Sequence, residues 1–454
     1  MVKRFLAFIV MTILILSLLM TGCSKPNTSS SSNKGNTSNE PNTPKQENVT
    51  LRFAWWGGEA RHKATMDAIK EFEKKYPYIK VQAEYSGWDG YFDKLTTQLA
   101  GGTAPDVTQI SVTNIGQFVA RKQVVSLQKY IDDKIIDISQ VPISMLDVGK
   151  YNNELYSIPT GISSPILYYN KDVFKKYGVQ EPTNDWTWDD FLAAAKKITE
   201  SARAEGNKNL WGTAPFMWGG MDIDFQLPLY ERGGKMWNQD LTKVAFNSPE
   251  GLEVFNFDKQ LQKEGISTPI EVSAGDPPGT DDFIVGNAAM ILAVSAKVYN
   301  YEANVKFDFG MVRRPTGPKI KVYEVAPTML YAITKDSKHP KEAAMLINYL
   351  INDMEAGKIL QLQRGLPINK EILDALYPTM SAKAKEMVDV IKATESAHSD
   401  VKWEPSVATG EAIEDVYDQE WEAMMFGKKT PEKALADWAD QSNKILDEFY
   451  KSIN

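Results

Sequence analysis

The chain has 454 residues, with 51 Lys and Arg against 59 Asp and Glu, a formal net charge of −8, and one cysteine, Cys23. An acidic surface argues against nucleic acid as a partner. A lone cysteine excludes an internal disulfide and argues against a Cys-ligated metal site or a buried nucleophilic thiol. At the N-terminus Lys3 and Arg4 precede an apolar run from Phe5 to Met20, then Thr21 and Gly22. A charged start, a short apolar core and small residues make an export signal over residues 1–22. The run is too short, and its charge too one-sided, for a membrane span.

Met20-Thr21-Gly22-Cys23 resembles the lipobox of bacterial lipoproteins, with Met in place of the usual Leu three residues before the cysteine. The resemblance implies cleavage and lipidation at Cys23, hence a protein held on the extracellular face of the cell membrane. Ser24 to Asn48 contains nothing to bury. With Cys23 it forms a flexible tether (23–48), with a reach of roughly 25–30 Å.

The folded body starts where Val49, Leu51, Phe53 and Trp55 alternate with Thr50, Arg52 and Ala54, a period-two strand. Gly57-Gly58 ends it. Met66, Ile69, Phe72 and Tyr76 then recur at helical spacing up to Pro77. Ile79, Val81 and Ala83 alternate as a second strand, and Phe92, Leu95 and Leu99 mark a second helix closed by Gly101-Gly102. A third strand follows over Asp106 to Ile110. This order predicts a parallel α/β sheet with right-handed crossovers. Further on, Thr187 and Asp190 form a capping-box pair, flanked by Trp186 and Phe191 as a hydrophobic staple. Ser248-Pro249 and Thr430-Pro431 place a capping hydroxyl before a proline at the first helical position. The last helix buries Leu435, Trp438, Ile445, Leu446 and Phe449.

Enzyme signatures are scarce. His62, His339 and His398 are scattered, and no phosphate-binding loop, dinucleotide fingerprint or nucleophile elbow is present. Asp189-Asp190 and Asp281-Asp282 read as helix-start charges or solvated surface. No metal or cofactor is expected. The positive signal is Trp55-Trp56-Gly57-Gly58-Glu59-Ala60-Arg61-His62, at the junction of the first strand and first helix. Ligands of open α/β sheets bind beyond the carboxyl ends of strands, and a helix N-terminus offers unpaired N–H groups. Trp56, Gly58, Glu59, Arg61 and His62 are therefore candidate ligand contacts; the alternative makes Glu59 a helix-start charge and Arg61 and His62 plain surface. A second junction, Tyr85 to Tyr91, offers Trp88 as a stacking plane for a sugar, while Asp89 reads better as a helix cap. Trp218 and Trp403 lie among polar neighbours and serve either as ligand platforms or as local packing.

Taken in order, Gly101 to Val107, Leu155 to Pro159, Leu167 to Phe174 and Phe283 to Met290 resemble the extracellular solute-binding proteins that feed sugar ABC importers, the maltose-binding-protein-like family. The resemblance runs from Val49 to the C-terminus. It implies an α/β, two-lobe, class II periplasmic-binding-protein-like fold, each lobe a β-sheet flanked by helices, with the ligand cleft at the hinge. The first lobe would hold 49–161 plus 325–352, and the second 162–324 plus 353–454. Family contact positions, carried onto this chain, fall at Gly58, Glu59 and Arg61; Gln109, Ser111 and Asn114; Ser163 and Ser164; Ser295; and Trp218 and Trp403. The maltose-binding branch carries a glutamate near Ser163 and a tryptophan near Ser295, and this chain has neither. The opening Trp-Trp-Gly-Gly-x-x-Arg-His and the later Ser-Gly-Trp-Asp-Gly-Tyr resemble binders of oligogalacturonides and other pectin fragments. Arginine pairs bidentately with a uronate carboxylate, which makes Arg61 and Arg364 candidates.

The function expected is that of a monomeric, lipid-anchored receptor that delivers an oligosaccharide to the permease subunits of an ABC importer by hinge closure. The alternative is a secreted glycoside hydrolase or polysaccharide lyase.

Overall fold

The structure is a computed structural model, which describes residues 47–88, 90–151, 153–216, 220–277, 280–317, 320–327, 329–401 and 410–453. The expected signal, Cys23, most of the tether, Asp89, Trp218 and Trp403 lie outside the described residues. The first sheet is built from β1 (Val49–Trp56), β2 (Ile79–Ser86), β3 (Val107–Ser111), β4 (Ile158–Pro159) and β10 (Met329–Ile333), in the order β2-β1-β3-β10-β4. β1 pairs in parallel with both β2 and β3, through crossovers α1 (Glu59–Lys75) and α2 (Tyr91–Ala100). The chain returns much later to add β10, antiparallel to β3.

The register fixes which residues share the functional edge. Trp56 lies beside Ser86 in the β1–β2 pair, and Met329 lies beside Ser111 in the β3–β10 pair. The carboxyl ends of β1, β2 and β3 and the start of β10 therefore open on one side, where an α/β sheet presents its ligands. Because successive side chains alternate faces, Leu51, Phe53 and Trp55 enter a core with α1, while Ala54 and Trp56 enter a second core with Tyr91, Phe92 and Leu95 of α2.

The second sheet has β6 (Pro165–Asn170) at its centre, antiparallel to both β7 (Met290–Val294) and β8 (Phe309–Arg313). Ile166 and Tyr168 face one core, and Leu167 and Tyr169 the other. The predicted caps are present. Thr187 and Asp190 close a reciprocal box on α3 (Trp188–Ala204), and Ser248 accepts from the Gly251 amide at the start of α4 (Pro249–Lys263). A third packed region is helical, with Phe225, Phe246, Phe255 and Trp438 against one another. In the last helix Leu435, Trp438, Leu446 and Phe449 are buried, and Ile445 is half-buried.

The lobes are joined where short strands cross. β5 (Ile162–Ser163) pairs with β9 (Ala326–Pro327), and Ile162 exchanges main-chain hydrogen bonds with Leu366. A Cβ at Gly161 would sit 2.4 Å from the Arg364 carbonyl oxygen, so the close approach of these crossing segments requires glycine. After α5 (Pro340–Asn352), α6 (Met354–Leu360) still packs on α1, and Ala356 and Leu360 join the first lobe's core. The chain thus remains with the first lobe beyond residue 352, where the family resemblance placed the boundary. Among the described residues, no helix is long and apolar enough to cross a membrane.

Candidate functional site

A cleft of about 280 Å³ opens at the edge defined by the β1, β2 and β3 ends. Trp56, Arg61 and Trp88 line one wall, Met221, Asp222, Gln226 and Glu414 the other, and Ser111, Thr113, Ser163, Val294 and Met329 also border it. The first wall is built on the sheet. Trp56 is buried at the end of β1, with its ring against Trp88, Tyr91 and Phe92 at centroid distances of 5.2–5.3 Å. Trp88 stands edge-on to Trp56 at 76° and is 47% exposed. It is an apolar plane held rigid from behind and open in front.

Arg61 sits in the first turn of α1. Its Nη1 donates to the Trp56 carbonyl at 3.1 Å and its Nε to the Gln363 carbonyl at 2.9 Å. Among the described residues, Nη2 makes no hydrogen bond, on a side chain that borders the cleft. A Cβ at Gly57 would lie 2.5 Å from Arg61 Cδ, so glycine there lets the guanidinium fold back over the strand end. Burial and the neighbouring Arg364 push the Arg61 pKa down to about 10, which leaves it cationic at neutral pH. Gly58 and Glu59 start the helix and are exposed. His62 lies elsewhere. It is buried, accepts from Trp55 Nε1 through Nδ1 at 3.1 Å, and packs on Tyr85 at 4.4 Å. Burial lowers its pKa, so it is a neutral member of the sheet's other face.

The second wall is acidic. Met221 is followed by a π-helical turn, Asp222–Gln226, a widened turn that is common at functional sites. Glu414, on α7 (Gly410–Met425), accepts from the Met221 amide at 3.3 Å. Burial, with Asp222 and Asp418 nearby, pushes the Glu414 carboxyl up to about 8. Burial raises Asp222 as well, and it raises Glu324 next to Asp222, although Arg314 draws Glu324 down. Carboxyls in such surroundings suit hydroxyl-rich ligands, because they accept or share protons with them while water is excluded.

Of the other expected contacts, Ser111 and Ser163 border the cleft, and Ser111 Oγ lies 2.9 Å from Thr113 Oγ1. Gln109, Asn114, Ser164, Ser295 and Arg364 are all buried within the protein. The Gln109 Oε1 accepts from Arg364 Nε at 2.7 Å, and the Asn114 Oδ1 accepts from Gln117 Nε2 at 2.9 Å. Ser164 Oγ donates to the Glu324 carbonyl, and Ser295 Oγ accepts from the Ser164 amide. Val294 and Ala296, on either side of Ser295, reach the cleft. Sequence reasoning missed Asp222, Gln226, Glu414, Thr113 and Met329. The segment leading to Asp222 drew notice only for Trp218, and Glu414 is one acid among several on a late helix, with no local pattern to single it out. Among the described residues, no group of three His, Cys, Asp or Glu is arranged to hold a metal ion.

The relatives agree with this architecture. The sn-glycerol-3-phosphate-binding periplasmic protein UgpB of Escherichia coli is 24% identical, over 90% of this chain and 94% of its own. The ABC substrate-binding protein Lmo0181 of Listeria monocytogenes, solved with cycloalternan, superposes with a TM-score of 0.77 at 28% identity, over 88% of this chain and all of its own. An oligogalacturonide-binding protein of Yersinia enterocolitica, solved with saturated digalacturonic acid, gives 0.74 at 25% identity, over 88% and 99%. The model of the bacterial extracellular solute-binding proteins matches residues 57–356, and the chain belongs to that family.

Proposed function

We propose that this chain is a lipid-anchored extracellular receptor that captures an oligosaccharide in the cleft and passes it to an ABC importer as the hinge closes. The observation that carries this reading is the pairing of walls: the Trp56–Trp88 aromatic pair and the acidic residues Asp222 and Glu414, with Gln226, border the same cleft of about 280 Å³. A sugar presents an apolar ring face to indole and hydroxyls to carboxyl and amide groups. Closure would complete the buried polar contacts only with a ligand of matching hydroxyl pattern, which couples hinge motion to recognition. The anchoring part rests on the Cys23 motif. It is checked by labelling with a palmitate analogue, which Cys23→Ala should abolish while the protein leaves the membrane fraction.

Two ligand classes fit. The acidic second wall favours an uncharged oligosaccharide. Arg61, with Nη2 facing no described partner, favours one uronate carboxylate at the first wall. The digalacturonate complex of the Yersinia protein supports the second class, and the cycloalternan complex of the Listeria protein the first. Calorimetry against digalacturonate and trigalacturonate, beside xylo-, manno-, cello- and malto-trioses, separates them. Uronate binding should weaken roughly 10–100-fold in Arg61→Met, the scale of a lost hydrogen bond to a charged group. Binding of a neutral sugar that survives Arg61→Met leaves the receptor reading intact and discards the uronate. Release of shortened or unsaturated products from any of them would point instead to a hydrolase or lyase.

A further inference from the structure

Behind the cleft lies a second cavity, of about 30 Å³, walled in part by Thr160, Tyr331, Gln361, Arg364 and Gly365. That is room for a monatomic ion or about two waters, and too little for a sugar ring. Two buried donors on residues that border it have no partner among the described residues: Arg364 Nη1, on a residue 6% exposed, and the Tyr331 hydroxyl, on one 1% exposed. The guanidinium also lies over the Tyr331 ring, 5.6 Å from its centroid.

Among the described residues, no acid balances the charge around this cavity. Arg364 gives its remaining hydrogen bonds to neutral oxygens, Gln109 Oε1 at 2.7 Å and Thr65 Oγ1 at 3.0 Å. Arg61, close enough to Arg364 for that charge to lower its pKa, donates among the described residues to main-chain carbonyls alone. Elsewhere in the protein buried guanidinium groups meet carboxylates: Arg314 Nη1 lies 2.7 Å from Glu231 Oε1, and Arg313 Nη2 lies 3.3 Å from Asp185 Oδ1. A buried cation without a counter-charge is strongly unfavourable, because burial strips its hydration and nothing replaces it. A water would satisfy the two donors but would not offset the charge.

We propose that this cavity binds a small monatomic anion, with chloride the natural occupant, held by Arg364 Nη1 and the Tyr331 hydroxyl. The site lies on the crossing segment, since Leu366 pairs with Ile162 and Arg61 Nε holds the Gln363 carbonyl. Its occupant fixes Arg364, and through Gln109 Nε2, which donates to the Trp56 carbonyl at 3.4 Å, it braces the first wall of the cleft. The site is separate from the sugar site, so it stands or falls independently of the ligand assigned there.

The test is thermal denaturation of the ligand-free protein at constant ionic strength, with gluconate replaced stepwise by chloride or bromide, together with anomalous diffraction from crystals in bromide. A saturable rise in Tm, and a bromide peak within hydrogen-bonding reach of Arg364 and Tyr331, are expected. Tyr331→Phe, which keeps the ring, should weaken halide binding roughly ten-fold or more, the scale of one hydrogen bond to an ion. Arg364→Met should abolish the halide dependence. If Arg364→Met does not fold, Tyr331→Phe and the bromide map still decide. Identical melting in gluconate and halide, or a cavity holding only water, overturns the proposal. So does a halide effect that persists unchanged in Tyr331→Phe.

Discussion

The two walls of the cleft are made in opposite ways. The first grows out of a sheet core: Trp56 is the last residue of β1, 7% exposed, and the same ring that borders the cleft packs on Tyr91 and Phe92. The second wall is carried by a π turn and a helix remote in sequence, and its carboxyls are half-buried at the cleft with their pKa values raised. One wall stabilises the fold with the same atoms that border the cleft. The other keeps groups that the fold would be more stable without. A single cleft can therefore be well packed on one wall and strained on the other.

Trp56→Ala attacks both roles of the first wall and should have the largest effect. Truncating a buried aromatic removes about 3–5 kcal/mol of stability, read as a fall in the denaturant midpoint, with sugar binding lost as well. A variant that melted normally would mean that Trp56 is not part of the core and would break the contrast. Trp88→Ala separates the roles. The ring is half-exposed, so Tm should hardly move, while affinity falls about 3–10-fold, the range of an aromatic contact of about 0.5–1.5 kcal/mol. Equal losses of stability in Trp56→Ala and Trp88→Ala would erase the distinction within that wall.

The remaining test belongs to the second wall and reads pH dependence. The Glu414 carboxyl titrates near 8 when folded, far above its ordinary value when unfolded. The folded state thus binds more protons between these values, so the contribution is fully present at acid pH and is lost as pH rises toward 8. Tm of the ligand-free protein should drift down from about pH 5 to pH 8. Glu414→Gln should flatten that drift and melt higher than the parent at pH 8. Parallel pH curves for the two proteins would show that this wall carries no such strain.

Much of the first lobe was legible in the chain. The alternation of Leu51, Phe53 and Trp55, the spacing of Ile69 and Phe72, and the glycine pairs set β1, α1 and β2 in nearly the right places, because period and punctuation are local properties. The capping box at Thr187 was legible for the same reason. The Trp56–Arg61 loop was found because a strand end, two glycines and a cation sit within a few residues. Asp222, Gln226 and Glu414 carry no such local mark. They meet only because a π turn is packed under a helix that begins almost two hundred residues later.

Arg61 and Arg364 show where sequence reading stops. Residue type and resemblance put both forward as partners for one carboxylate, yet the fold sets Arg61 at the cleft and Arg364 behind it, facing a different cavity. By itself the sequence determined the strand–helix rhythm, the caps, the first-wall loop and the family, since each is written in near neighbours. Only the tertiary structure decided which wall the acids form, that His62 is buried against Trp55, and that Arg364 lies buried with no carboxylate partner among the described residues. Burial and the pairing of charges depend on what distant segments bring alongside, and a linear pattern does not record that.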